Sequence, residues 1–168
     1  LYDRSYAILR RSIDHDGRRE LASDLAAVLM NKGSVLLKLR ELPKAIVVFD
    51  ECVTIRRRLV EQEGRHDLAF DLATTMIDEG AALCGIGNLA RATELYDDAI
   101  TILRSLGDQK GRERSAPYLA TALRDKGITL LRAGNMSGAA KSYDECIAIW
   151  RQLVDHNGRI ERATDLAS

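Results

Sequence analysis

From Leu21 to Leu36, small and apolar residues recur every three or four positions: Leu21, Ala22, Leu25, Ala26, Leu29, Gly33 and Leu36. That spacing lays one stripe along a helix. Ala45, Val48, Phe49, Cys52, Ile55 and Leu59 form a second stripe of the same kind. The stretch therefore predicts two helices with a short break, each needing a partner for its apolar face. The pattern then recurs at a spacing of 47. Gly17, Gly64, Gly111 and Gly158 mark the period, each followed by arginine (Arg18, Arg65, Arg112, Arg159). Ala22, Ala69, Ala116 and Ala163 keep the register, as do Leu25, Leu72, Leu119 and Leu166. So do Gly33, Gly80 and Gly127, then Ala45, Ala92 and Ala139, then Phe49, Tyr96 and Tyr143.

Residues 1–168 read as a single array. Segment 1–16 is the second helix of a truncated repeat, 17–63, 64–110 and 111–157 are full repeats, and 158–168 starts a further one. The expectation is a piece of a longer array within a larger protein. Gly87-Asn88 and Gly134-Asn135 predict a glycine that ends the first helix and a cap for the second. The first unit has Pro43 near that helix start instead, where proline is tolerated. Gly17, Gly64, Gly111 and Gly158 are expected to end the second helices in the left-handed conformation. Pro117 belongs in a first turn, so Ser115 is expected to cap a late-starting helix in the third unit. One hairpin buries only part of its apolar surface, and about three stacked units are needed for stability.

Composition narrows the function. With 25 basic and 25 acidic residues the net charge is zero, without the basic excess that nucleic-acid binding usually requires. No run of about eighteen apolar residues is present to span a membrane. Cys52, Cys84 and Cys146 are odd in number and lack CxxC spacing, which points to a reducing, cytoplasmic compartment. His15, His66 and His156 lie near glycines in expected turns, and no metal or cofactor is expected. No Gly-rich phosphate loop, nucleophile–base pair or paired catalytic carboxylates stand out, so the chain is read as not an enzyme.

The residues resemble the tetratricopeptide repeat. That family has a small residue in the first helix, an alanine twelve later, an aromatic four further and a small residue three beyond. Here the series are Gly33, Ala45, Phe49, Cys52, then Gly80, Ala92, Tyr96, Ala99, then Gly127, Ala139, Tyr143, Cys146. Large apolar residues flank the glycines at Leu29, Met76 and Leu123 and at Leu36, Leu83 and Leu130. The resemblance implies an all-α fold, a right-handed α-solenoid of antiparallel helix hairpins. A glycine inside a helix costs about 1 kcal/mol against alanine, so its recurrence implies a close helix–helix contact. The alanine and cysteine positions are expected to oppose it, with the aromatic filling the space beside them. Two departures stand out. Lys32, Glu79 and Lys126 precede the glycines where the family usually has leucine, and their charges are expected to reach water. Arg57, Arg104 and Arg151 stand where a proline usually ends the second helix, which leaves that helix free to run on.

By position, the resemblance implies a peptide groove on the concave face. Its residues would be Ala27, Met30, Asn31, Ser34, Leu37 and Lys38 in the first unit. The second would supply Phe70, Thr74, Ile77, Asp78, Ala81 and Cys84, and the third Thr121, Arg124, Asp125, Ile128, Leu131 and Arg132. Asp78 and Asp125 would repel an acidic chain terminus, so a ligand with apolar anchors and some positive charge is expected. Partners are then a protein or peptide ligand, with no nucleic acid and no membrane. Alternatives are a structural spacer, end-to-end self-association through open apolar ends, or a sensor arm of an enzymatic parent. Cys52 and Cys146, two repeats apart, are read as core residues too distant for a disulfide. Arg56, Arg57 and Arg58 are read as a solvated face, and Trp150 as packing against the next helix.

Overall fold

The computed structural model describes residues 21–106 and 109–165, with side chains for 21–106 and 113–155. Residues 1–16 and Gly17, expected to form half a repeat and its terminating turn, lie outside the described residues. Among the described residues there are six α-helices: α1 Ala22–Lys38, α2 Leu42–Glu61, α3 Ala69–Gly85, α4 Leu89–Ser105, α5 Gln109–Arg132 and α6 Met136–Asp165. A 3-10 turn, His66–Leu68, precedes α3. Each helix packs on the next in sequence, and α3 also touches both α1 and α5. The result is an all-α solenoid of three hairpins. No helix among the described residues is long and apolar enough to cross a membrane.

The recurring glycine and aromatic explain how each hairpin closes. A Cβ on Gly80 would lie 2.9 Å from the Tyr96 ring, and one on Gly127 2.7 Å from Tyr143. At Gly33 the added carbon would press into the Phe49 ring. The aromatic therefore sits directly on the glycine rather than beside it. Behind each ring, the small-residue slot holds the helices together. The Cys52 Sγ donates to the Ala26 carbonyl at 3.1 Å, and Cys146 repeats the bond to Ala120 at 3.2 Å. All three cysteines are free and buried.

The hairpin turns share one hydrogen-bond pattern. Gly87 N–H donates to the Cys84 carbonyl and Asn88 N–H to Leu83; Gly134 and Asn135 do the same toward Leu131 and Leu130. Both glycines have positive φ, 87° and 80°. Asn88 and Asn135 then cap α4 and α6 through Arg91 N–H and Gly138 N–H. In the first unit Arg40 takes the glycine's place at φ 62°, with the same two bonds to Leu37 and Leu36. Pro43 sits in the first turn of α2.

Several local expectations are corrected. Gly64 does end α2 with φ 68°, but Gly111 lies inside α5 and Gly158 inside α6. Helix α5 begins at Gln109, so Ser115 does not cap it, and Pro117 sits in its interior. The residues ahead of the proline, Gln109, Lys110, Arg112, Glu113 and Arg114, are mostly strong helix formers. Ser115 is buried at 3 % exposure, so this early turn docks on the body of the array. Arg56 is no solvated residue either. It is 7 % exposed, and its Nη1 donates to the Asp71 carbonyl at 2.6 Å and to Thr75 Oγ1. Arg57 and Arg58 do lie at the surface, paired with Asp98 and Glu63. Trp150 is 46 % exposed, because α6 runs on without a break and no following helix covers it among the described residues.

Candidate functional site

The face built by α1, α3 and α5 carries most of the expected groove. Ala27, Asn31, Lys38, Arg124, Ile128, Leu131 and Arg132 are exposed on it. Met30, Ser34, Leu37, Thr74, Asp78, Ala81, Thr121 and Asp125 are half-buried. Phe70, Ile77 and Cys84 are buried in the core, at 9 %, 5 % and 8 % exposure, and are corrected from groove contacts to packing residues. They sit on the middle helix, whose flanks are covered by neighbours on both sides.

Three cross-helix contacts organise this face. At its centre the Ser34 hydroxyl of α1 bonds the Asp78 carboxyl of α3, with Asp125 of α5 on the other side. Burial, and then the neighbouring Asp125 charge, pushes the Asp78 carboxyl up to about 6. Both effects penalise an ionised acid. Asp125 is paired with Arg124 at 2.9 Å. Toward the start of α3, Tyr118 meets Phe70 edge-on at 4.9 Å, and the Arg114 guanidinium lies 3.9 Å from the centre of the Phe70 ring. Toward its end, Arg132 Nη1 donates to the Cys84 carbonyl and lies 3.0 Å from its sulfur.

Sequence reasoning missed Tyr118 and Arg114. Placing the helix start at Ser115 left Arg114 outside any helix. Tyr118 had a signal, since it stands where the other units carry Asp24 and Asp71. Beneath the face, the buried Tyr96 hydroxyl bonds Thr129, whose own hydroxyl donates to the Asp125 carbonyl at 2.8 Å. Phe49, which has no hydroxyl, packs instead on Ala82, the residue one repeat before Thr129.

The second helices leave two grooves on another side of the array. The one between α2 and α4 encloses about 830 Å³ and is lined by Asp50, Glu51, Val53, Thr54, Ile55, Arg57, Arg58, Glu61, Gln62 and Arg91. The one between α4 and α6 encloses about 560 Å³ and includes Lys126, Asp97, Arg104 and Glu145. Lys126 pairs with Asp97 and Arg104 with Glu145. Glu79 corrects the expectation that the charges before the glycines reach water. It is 2 % exposed, and its Oε2 has no hydrogen-bond partner. Burial, and then the Asp50 charge, pushes its carboxyl up to about 7 against the opposing pull of Arg91 and Arg57. No group of three or more His, Cys, Asp or Glu side chains gathers as metal ligands among the described residues.

Comparison with known proteins agrees with this architecture. A family model described as the tetratricopeptide repeat matches residues 25–66 and 119–166. Among solved structures, the TPR domain of Arabidopsis FLU superposes with a TM-score of 0.65 at 18 % identity, over 78 % of this chain and 98 % of that one. At that identity the likeness speaks to the fold alone. No curated protein sequence matches significantly.

Proposed function

The chain belongs to the tetratricopeptide repeat family, and from that premise we propose that it is a protein–protein interaction scaffold whose first-helix face holds an extended peptide or partner segment. The observation that carries this reading is Asp78. It is held half-buried between Ser34 and a second acid, and its carboxyl stands at about 6. A cation placed there by a ligand would relieve both the burial and the repulsion. Exposed Ile128 and Leu131 on α5, with Tyr118 beyond them, offer apolar footing along the same face. The ligand is therefore a segment with a basic residue between apolar anchors, and an acidic chain terminus is disfavoured. The array acts by binding alone, with no catalytic step. Its free cysteines fit a reducing compartment such as the cytoplasm.

Labelled peptides that alternate lysine with leucine or tyrosine, and the same peptides with glutamate for lysine, test this by fluorescence anisotropy. The basic peptides should bind, and the double variant Asp78→Lys, Asp125→Lys should weaken them at least about tenfold with an unchanged circular dichroism spectrum. Equal binding by the variant, or a preference for the acidic peptides, would remove the groove reading. Self-association has one observation in its favour. Ile147, Trp150 and Val154 lie exposed along α6, at 47 %, 46 % and 68 %, while Ile100 and Leu103, one repeat before Ile147 and Trp150, are buried. A molecular mass that rises with concentration would favour that reading.

A further inference from the structure

The two grooves between second helices carry opposite charges at the position before the helix glycine. In the groove between α4 and α6, the Lys126 ammonium pairs with Asp97. One repeat earlier the same two places hold Glu79 and Asp50. Two acids thus stand where the neighbouring groove has a cation and an anion. Glu79 is 2 % exposed with an orphaned Oε2, whereas buried polar atoms nearly always have a partner. The charges that face it are Asp50 and Arg57 on α2 and Arg91 on α4. Both arginines are engaged elsewhere, Arg57 with Asp98 at 3.0 Å and Arg91 with Glu94 at 3.1 Å. Asp50, Arg57 and Arg91 all line the groove, and all three charges act on the Glu79 carboxyl buried behind that lining. Val53 and Ile55 give the same groove an apolar wall.

We propose that the groove between α2 and α4 is a docking site for a protein partner, which inserts a lysine whose ammonium sits between Asp50 and Glu79. Charge and shape both fit that guest. The ammonium takes the role that the Lys126 ammonium plays beside Asp97, and the apolar stem lies along Val53 and Ile55. A buried carboxylate with two acids around one cation rewards a compact point charge. The site is independent of the first-helix face.

The probe is Nα-acetyl-lysine methylamide, titrated into the whole chain at pH 8 and followed by backbone amide NMR. Its Nε-acetylated counterpart, which carries no charge, is the control. Saturable shifts are expected along α2 and α4 around Asp50 and Arg91, with a millimolar dissociation constant and at least about tenfold weaker binding of the control. Lowering the pH to 6 should weaken binding, because Glu79 must give up its proton to receive the cation. Glu79→Lys supplies the cation from within, as the third unit does, and should abolish the response. Glu79→Gln keeps the shape and removes the charge, and is the second variant if the first does not fold. Asp78→Lys, Asp125→Lys should leave these shifts intact, which separates this site from the peptide groove. Absence of a saturable shift, an equal response to the acetylated control, or a response that survives both Glu79 variants would overturn the proposal. The first would mean that Arg57 or Arg91 neutralises Glu79 from inside, and the other two that the groove takes its guest without Glu79.

Discussion

Among the glycines whose surroundings are described, Gly33 has the closest approach, with the Phe49 ring lying over its backbone and 0 % exposed. The ring has nowhere to retreat. Alanine there should gain about 1 kcal/mol of helix propensity and lose more through overpacking, for a net loss of about 1–2 kcal/mol in urea denaturation. Unchanged or higher stability would mean that the hairpin opens easily. The recurrence of glycine and aromatic was plain in the sequence, and so was the need for a close contact. What was not plain was which atoms meet. Other residues were hidden by their neighbours in the chain. Arg56 reads as one of three consecutive arginines, and only its register with Leu103 and Trp150 marks it as a core position. Arg40 reads as an ordinary surface arginine, and only its register with Gly87 and Gly134 marks a left-handed residue. In both cases the repeat held the signal and the local composition concealed it.

The helices themselves were legible wherever the stripe was regular, and boundaries failed where a single residue was trusted. Pro117 predicts the start of the third unit's first helix, because proline in a helix interior costs about 3 kcal/mol. The structure carries the helix through it, although proline brings no N–H to the helix ladder. Docking of this first stretch offsets the loss: Ser115 is buried and Arg114 lies on Phe70. Pro117→Ala should therefore stabilise the chain by about 1–3 kcal/mol. The gain should appear as slower amide hydrogen exchange at residues 113–121. Faster exchange there would mean that the proline holds the segment in a conformation that alanine abandons. Gly111 and Gly158 failed in the same way. Glycine permits a left-handed turn but does not demand one, and the flanking sequence decided for helix.

Stacking was legible from the period alone, since no unit buries its own faces. The acids inside the stack were not, because burial is a property of the assembled array. They give it a pH dependence. Asp78 and Glu79 have folded-state values near 6 and 7, above the ordinary 3.8 and 4.5. The folded chain therefore holds their protons more tightly than the unfolded chain. Their favourable contribution is complete below the unfolded values and is lost as pH rises through 6 and 7. The melting temperature should fall between pH 5 and 8, and Glu79→Gln should flatten the fall, gaining about 1–3 kcal/mol at pH 8. A melting temperature that rises over that range would contradict the burial of both acids. The bond from Tyr96 to Thr129 bears on how such an array could be lengthened or rearranged. Unit two ends in a hydroxyl that only unit three receives, whereas unit one ends in Phe49 and meets Ala82. The units are thus addressed to their successors. A tandem copy of unit two would set its tyrosine against alanine and strand a buried hydroxyl, unless Ala82 of the second copy were changed to threonine as well.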